Sequence, residues 1–185
     1  MARLLVSDQV GEDDGFTLIE LMVVVLIMGI LMAIAIPTFL STTNGANKTG
    51  ATANATNAYD AVKSYYDSTG GVFPTSATLQ SAMTTREPEF AWTMGSPAEG
   101  NGVSVYVATG SNAGQEVIIG TQAKNTNWCY YIDDVETYSA TGVGGATSAG
   151  VIYGETSSAS AGAAGSCAAD PTSGVAWSAN GAWTK

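Results

Sequence analysis

The hydrophobic pattern changes character along the chain, and each change marks a different element. Residues 21–40 read LMVVVLIMGILMAIAIPTFL, twenty consecutive positions without a charge. As an α-helix at about 1.5 Å per residue this stretch spans roughly 30 Å, the hydrocarbon thickness of a bilayer. A soluble helix of that length normally keeps a polar face, so the pattern predicts a membrane-spanning helix. Residues 41–50, STTNGANKTG, carry two glycines and several β-branched side chains, which weakens helix propensity. The pattern leaves their helicity open, with Asn44–Gly45 as the natural place for a break. Ala51, Ala55, Ala58, Val62 and Tyr65 then recur at helical spacing, with Asp60, Lys63 and Ser64 off that seam. Ser68-Thr69-Gly70-Gly71 ends the period. Unbroken, a helix from Phe16 to about Ser68 would be roughly 80 Å long, its first half facing lipid or other copies and its second half docking on a head.

Val72-Phe73-Pro74 reads as an entry loop, and residues 76–85 as a short helix capped by Thr75 or Ser76. From Glu89 the period shortens toward two. Residues 90–94, 103–109 and 116–122 read as short strands between glycine-rich turns. Residues 127–138 give the most aromatic strand, with Trp128, Tyr130 and Ile132 on one side and Cys129, Tyr131 and Asp133 on the other. Residues 139–166 are rich in Gly, Ala, Ser and Thr and read as a long exposed loop, interrupted by Val151-Ile152-Tyr153. Val175-Ala176-Trp177 and Ala182-Trp183 read as a last strand or an anchoring tail. The expected class is α+β: a long N-terminal helix packed on a small antiparallel sheet of three or four strands.

Composition narrows the chemistry. The 185 residues hold six Lys+Arg against sixteen Asp+Glu, no histidine and two cysteines. A formal charge of −10 disfavours nucleic acid as an electrostatic partner. Without histidine there is no Ser-His-Asp or Cys-His nucleophile system and no His-ligated metal. The sequence contains no G-x-x-x-x-G-K-[ST], G-x-S-x-G or C-x-x-C motif, so no enzyme activity and no cofactor are expected. Asp133, Asp134 and Glu136 have the composition of a cation site, yet lack EF-hand spacing and read as a solvated turn. Asn47-Lys-Thr49 and Asn54-Ala-Thr56 match the short N-glycosylation pattern. The sixteen aromatic residues read as core and interface positions.

The start of the chain does not follow the order of a secretory signal, in which a positive region precedes a short apolar stretch and a small-residue cleavage site. Residues 1–15, MARLLVSDQVGEDDG, hold one Arg and four acids, and the apolar run that follows is longer than such a signal uses. Arg3 before the run and Lys48 after it leave orientation undetermined by the positive-inside rule. Glu20 lies inside the apolar stretch that begins at Phe16, where a carboxylate costs a few kcal/mol and normally has a partner or a function.

Gly15-Phe16-Thr17-Leu18-Ile19-Glu20-Leu21-Met22-Val23-Val24, followed by Gly29-Ile30-Leu31 and Ala33-Ile34-Ala35-Ile36-Pro37, resembles the class III signal of type IV pilins and pseudopilins. The resemblance covers residues 15–40. It implies that a prepilin peptidase cuts after Gly15 and methylates the new N-terminal Phe16, while the apolar segment stays with the product. It also implies that Glu20 pairs with the α-amine of a neighbouring copy's Phe16 during assembly. Physics agrees, because a carboxylate in hydrocarbon finds its partner only in the correct axial register. Glu12-Asp13-Asp14 departs from the Lys or Arg found in many members of the family. Pro37 removes one helix hydrogen bond and predicts a kink near residues 33–37; the resemblance lets the segment between Gly29 and Pro37 lose helical structure on assembly. Two cysteines in an exported chain tend to pair, and family members hold their C-terminal region by one disulfide, which would be Cys129–Cys167; two buried thiols are the alternative.

The implied organisation is a cleaved leader (1–15), a hydrophobic transmembrane and polymerisation helix (16–40), an amphipathic helical half (41–69) and a globular head (70–185). The implied function is a structural subunit, a major pilin, of a type IV pilus that supports adhesion or motility. The implied partners are further copies in a helical homopolymer, the prepilin peptidase, the pilus assembly platform with its ATPase machinery, and the cytoplasmic membrane before assembly. The subunit would be single-pass with its head outside, and would reach the cell surface in the pilus. Two alternatives stand beside it: a minor pilin or pseudopilin of a secretion or DNA-uptake apparatus, and a membrane-anchored surface protein that never polymerises. Without residues 1–15 the balance is five basic against twelve acidic side chains, which weighs against a DNA-binding tip.

Overall fold

Small side chains at helical spacing and alternating apolar residues at strand spacing build two different kinds of element here. The computed structural model describes residues 15–126, 128–138, 146–157, 167–169, 175–178 and 183. Residues 1–14 of the leader, most of the 139–166 loop and Ala182 lie outside the described residues. The chain forms two compact units that divide between Ser41 and Thr42. Helix α1, Leu18–Ser68, contributes to both and stays helical through Gly29, Pro37 and residues 41–50. That last stretch is helical despite its weak propensity, and its threonine hydroxyls bond back to the preceding turn. Thr49 donates to the Gly45 carbonyl at 3.1 Å, and Thr52 to the Lys48 carbonyl at 3.2 Å.

In the first unit the large apolar side chains from Leu18 to Leu40 are exposed, Leu18 by 75% and Phe39 by 75%. The second unit contains the rest of α1, α2 (Ser76–Arg86) and six strands: β1 (Ala91–Thr93), β2 (Gly102–Val107), β3 (Glu116–Gln122), β4 (Trp128–Val135), β5 (Gly150–Ser157) and β6 (Ala176–Ser178). Thr75 caps α2, its hydroxyl accepting from the Thr78 amide. The α+β class holds, but the sheet is larger than the sequence pattern suggests and is mixed. Its order is β1-β2-β3-β4-β5-β6; β1 runs parallel to β2, and every other neighbouring pair is antiparallel. A parallel neighbour without a helical crossover is feasible because β1 has three residues. The connection must retrace only about 10 Å.

The sheet is also covered on both faces. On one, Ala58 and Val62 of α1 and Leu79 and Met83 of α2 pack against Val103, Val105, Val107, Val117 and Ile119. The small seam residues Ala51, Ala55 and Ala58 are nearly or fully buried, which brings the helix backbone close to the sheet. Thr121 uses that proximity to donate its hydroxyl to the Ala51 carbonyl at 3.0 Å. On the other face, Ile118, Cys129 and Tyr131 are covered by Cys167, Ala169, Val175 and Trp177. The polar side of β2 is therefore not solvated: Ser104 is fully buried and accepts a hydrogen bond from the Ala169 amide at 2.9 Å.

Two glycines make room for this second layer. A Cβ on Gly120 would lie 2.9 Å from the Cys167 carbonyl oxygen, and one on Gly154 would lie 2.7 Å from the Trp177 ring. Cys129 and Cys167 are joined by a disulfide with a Cα–Cα distance of 5.3 Å, at a sequence separation of 38. On the chain-entropy account a loop of that size stabilises the fold by about 4 kcal/mol. Reduction should therefore add two daltons to the intact mass and lower the thermal midpoint of the head by roughly 10 °C; an unchanged mass would contradict the bond.

Candidate functional site

Two regions carry candidate chemistry: the N-terminal turn of α1 and the acidic end of β4. Gly15 and Phe16 are exposed, with Phe16 exposed by 88%. Thr17 immediately precedes α1, and the first turn of any helix leaves backbone N–H groups without intrahelical partners. Here Thr17 and Glu20 answer that need reciprocally. The Thr17 amide and hydroxyl both donate to Glu20 Oε2 at 2.8 Å, and the Glu20 amide donates to Thr17 Oγ1 at 3.3 Å. This is a capping box, with Thr at the cap and Glu three residues on. It holds an exposed carboxylate in a fixed orientation among the exposed apolar residues Ile19, Leu21, Met22 and Val23. Helix α1 contains one stretch long and apolar enough, by length and composition, to cross a membrane. Gly29 and Pro37 both lie within α1, and a Cβ on Gly29 would meet nothing within 4 Å.

The acids of β4 differ from the solvated turn expected of them. Asp133 is fully buried and Asp134 is 3% exposed. Strand alternation separates the two. Asp134 faces α1, where it accepts from Lys63 Nζ at 3.1 Å and from the Tyr59 hydroxyl at 3.2 Å. Glu136 also contacts the Lys63 ammonium, which lies 4.7 Å from the centre of the Tyr66 ring. Burial, then the Asp134 charge, raises the Tyr59 hydroxyl above its ordinary range. Asp133 points to the opposite face, so the three acids do not converge on one cation. Among the described residues no three Asp, Glu, His or Cys side chains do so.

The Ala146 backbone amide approaches the Asp133 carboxyl, though neither oxygen forms a well-aligned hydrogen bond. Burial, then the charges of Glu116 and Asp134, push its carboxyl up to about 8. An unfolded chain releases that proton near pH 4. The native state thus holds one more proton than the unfolded state across that interval, and stability falls as pH rises from about 4 to 8, by up to about 1.4 kcal/mol per unit. Asp133→Asn should flatten this dependence and raise the midpoint at pH 8, as read by thermal melts across the pH series. An Asn variant with the wild-type slope would show that Asp133 is not its source.

Glu116 was not singled out by any local sequence signal. It enters because β3 pairs with β4 in a register that places it and Asp133 on the same face. The Asn54 side-chain amide donates to the Gly100 carbonyl at 2.7 Å, so this glycosylation match is occupied as a tie from α1 to the head. Asn47 also lies within α1, not in a loop.

A model of the prokaryotic N-terminal methylation motif matches residues 13–36. The chain is 50% identical over 55 residues to the type IV major pilin protein PilA of Myxococcus xanthus, a match covering 30% of this chain and 25% of that protein. It is 50% identical over 52 residues to the type IV narrow pilus major component PilA5 of Thermus thermophilus, covering 28% of this chain and 41% of that protein. The chain thus matches well under half the length of either relative. No solved structure matches it.

Proposed function

We propose that the chain belongs to the type IV pilin and pseudopilin family and is a major structural subunit of a type IV pilus, a reading supported by the methylation motif and these two similarities. The observation that carries the reading is the N-terminal turn: a carboxylate fixed by a capping box at the head of an apolar helix whose large side chains are all exposed. In water or lipid that helix has nothing of its own to pack against. Copies of the same segment supply both the apolar contacts and, through the α-amine of Phe16, a counter-charge for Glu20.

In this reading the peptidase cuts between Gly15 and Phe16 and methylates Phe16. The helix is held in the cytoplasmic membrane with the head outside, until an assembly platform driven by a separate ATPase transfers the subunit into a cell-surface filament. Residues 16–40 form the filament core, and residues 41–185 contribute the outer surface. Pro37 leaves the Ala33 carbonyl without its usual intrahelical donor, which makes the Gly29–Pro37 segment the weakest part of the core helix. Both relatives are named as major components of pili, and the same role is assigned here.

Mass spectrometry and electron microscopy of a sheared surface fraction test this reading. The chain should dominate the filaments and begin at a methylated Phe16. Filaments in which it is a trace component would favour a minor pilin or pseudopilin, and product that still carried residues 1–15 would refute the processing step.

A further inference from the structure

Three of the four tryptophans pack against other rings of the head, and the fourth does not. Trp92 lies edge-on to Phe90, Trp177 is tilted against Tyr131, and Trp183 lies edge-on to Tyr130 and Tyr153. Trp128 is 42% exposed, and among the described residues its ring meets no other aromatic and no cation. Its place is nonetheless fixed by the β3–β4 turn. The Ala123 amide donates to the Trp128 carbonyl at 3.0 Å, and the Trp128 amide donates to the Thr126 hydroxyl at 3.3 Å. The contacts of β4 with α1 show where on the head this ring lies. Asp134 meets Tyr59 and Lys63, whereas Tyr130 packs with Ala51 and has the Lys48 ammonium 5.6 Å from its ring centre. Moving back along β4 therefore moves toward earlier residues of α1. Trp128 lies two residues, about 7 Å, beyond Tyr130, a level about five helix residues before Lys48. That is the end at which the chain enters this unit, which begins at Thr42. Only Ser41 separates Thr42 from Leu40, the last residue of the uncharged run. Chain length alone holds the entry end within about 7 Å of that run, and the headgroup layer of a bilayer is roughly 5–8 Å deep on each side.

The charges of this rim suit such a layer. Residues 42–185 hold five Lys+Arg against eleven Asp+Glu, so anionic lipid repels the head as a whole. At the rim the signs balance. Lys48 lies 3.6 Å from Glu155, and the exposed Lys124 adjoins Asn125, whose amide donates to Glu99 Oε2 at 3.0 Å. An indole joins an apolar body to a single N–H donor, the combination that favours the boundary between hydrocarbon and headgroups over either phase. We propose that Trp128 inserts into the phospholipid headgroup layer of the membrane that holds the chain's own apolar helix, which makes this rim a lipid-docking surface of the unassembled subunit. The docking presupposes the reading of residues 16–40 as membrane-spanning. It restrains the head against the bilayer until the subunit leaves for a filament.

The full chain, reconstituted in phosphatidylcholine vesicles brominated near the headgroup end of their acyl chains, tests this docking, because bromine quenches indole emission only on close approach. Emission should fall by roughly a quarter, the share of one tryptophan in four. The loss should shrink several-fold in Trp128→Phe, a change at an exposed position that leaves the melting midpoint of the head where it was. Flotation of the same vesicles reads the membrane span separately. A chain that floats but is quenched equally with and without Trp128 would overturn the docking and leave the span standing; a chain that does not float would overturn both. Emission untouched by brominated lipid, yet shifted to the blue in sheared filaments, would assign Trp128 to a contact between copies and overturn the proposal equally.

Discussion

Glu20→Ala should abolish surface filaments, lowering the sheared yield at least tenfold, while cleavage after Gly15 and membrane insertion continue. The substitution removes two things at once. It breaks the capping box with Thr17, in which Glu20 Oε2 receives two hydrogen bonds of 2.8 Å. It also removes the negative charge proposed to meet a neighbour's Phe16 amine. Loss of a cap costs about 1 kcal/mol of helix stability, too little to prevent assembly of a long apolar helix. Loss of an ion pair that exists only in the correct register removes the one feature that distinguishes that register from its neighbours. Glu20→Gln separates the effects, because glutamine serves equally well in a capping box and carries no charge. Filaments should fail in both variants. A Gln variant that assembled normally would show that the cap, and not the pairing, is what the residue supplies.

Lys63→Met should destabilise the head by about 3 kcal/mol, a fall of roughly 10 °C in the thermal midpoint. Lys63 lies on α1 with its ammonium over the Tyr66 ring, and it provides positive charge for Asp134 and Glu136 at the end of β4. Asp134 is 3% exposed, so truncation leaves a buried carboxylate held by the Tyr59 hydroxyl. The methionine keeps the packing volume, which isolates the charge from the contacts. Adding Asp134→Asn to the variant should recover most of the loss, because the orphaned charge disappears with it. If the double variant were as unstable as the single one, the cost would lie in packing and not in the ion pair. The half-exposed position of Lys63 keeps the expected value at the low end for a buried pair.

The N-terminal third of the chain was the most legible. A twenty-residue apolar run and the Ala51–Val62 seam are local patterns, and helices form from local hydrogen bonds, so sequence spacing maps directly onto the faces of α1. The strands centred on residues 103–107, 116–122 and 128–135 were equally readable by alternation. Alternation does not show what covers each face. Ser104 and Asp133 alternate with the residues that face α1, yet both are fully buried, and Ser104 is met by the Ala169 amide of a second layer. Nor does it show direction: β1 is parallel to β2, and no residue in either strand signals it.

The sequence alone determined the apolar helix with Glu20 near its start, the match to the N-terminal methylation motif, and the absence of histidine chemistry. All of these depend on residues adjacent in the chain or on composition. Only the tertiary structure decided which charges meet. Lys63 reaches Asp134 across 71 positions. Asp133 and Glu116 share a face through the β3–β4 register, and residues 133 and 134, neighbours in sequence, point in opposite directions. Electrostatic energy depends on distance and burial in space, and a strand reverses its side chains at every step. Among the described residues, a counter-charge thus falls to one acid and not to the next through pairing register, which no local pattern encodes.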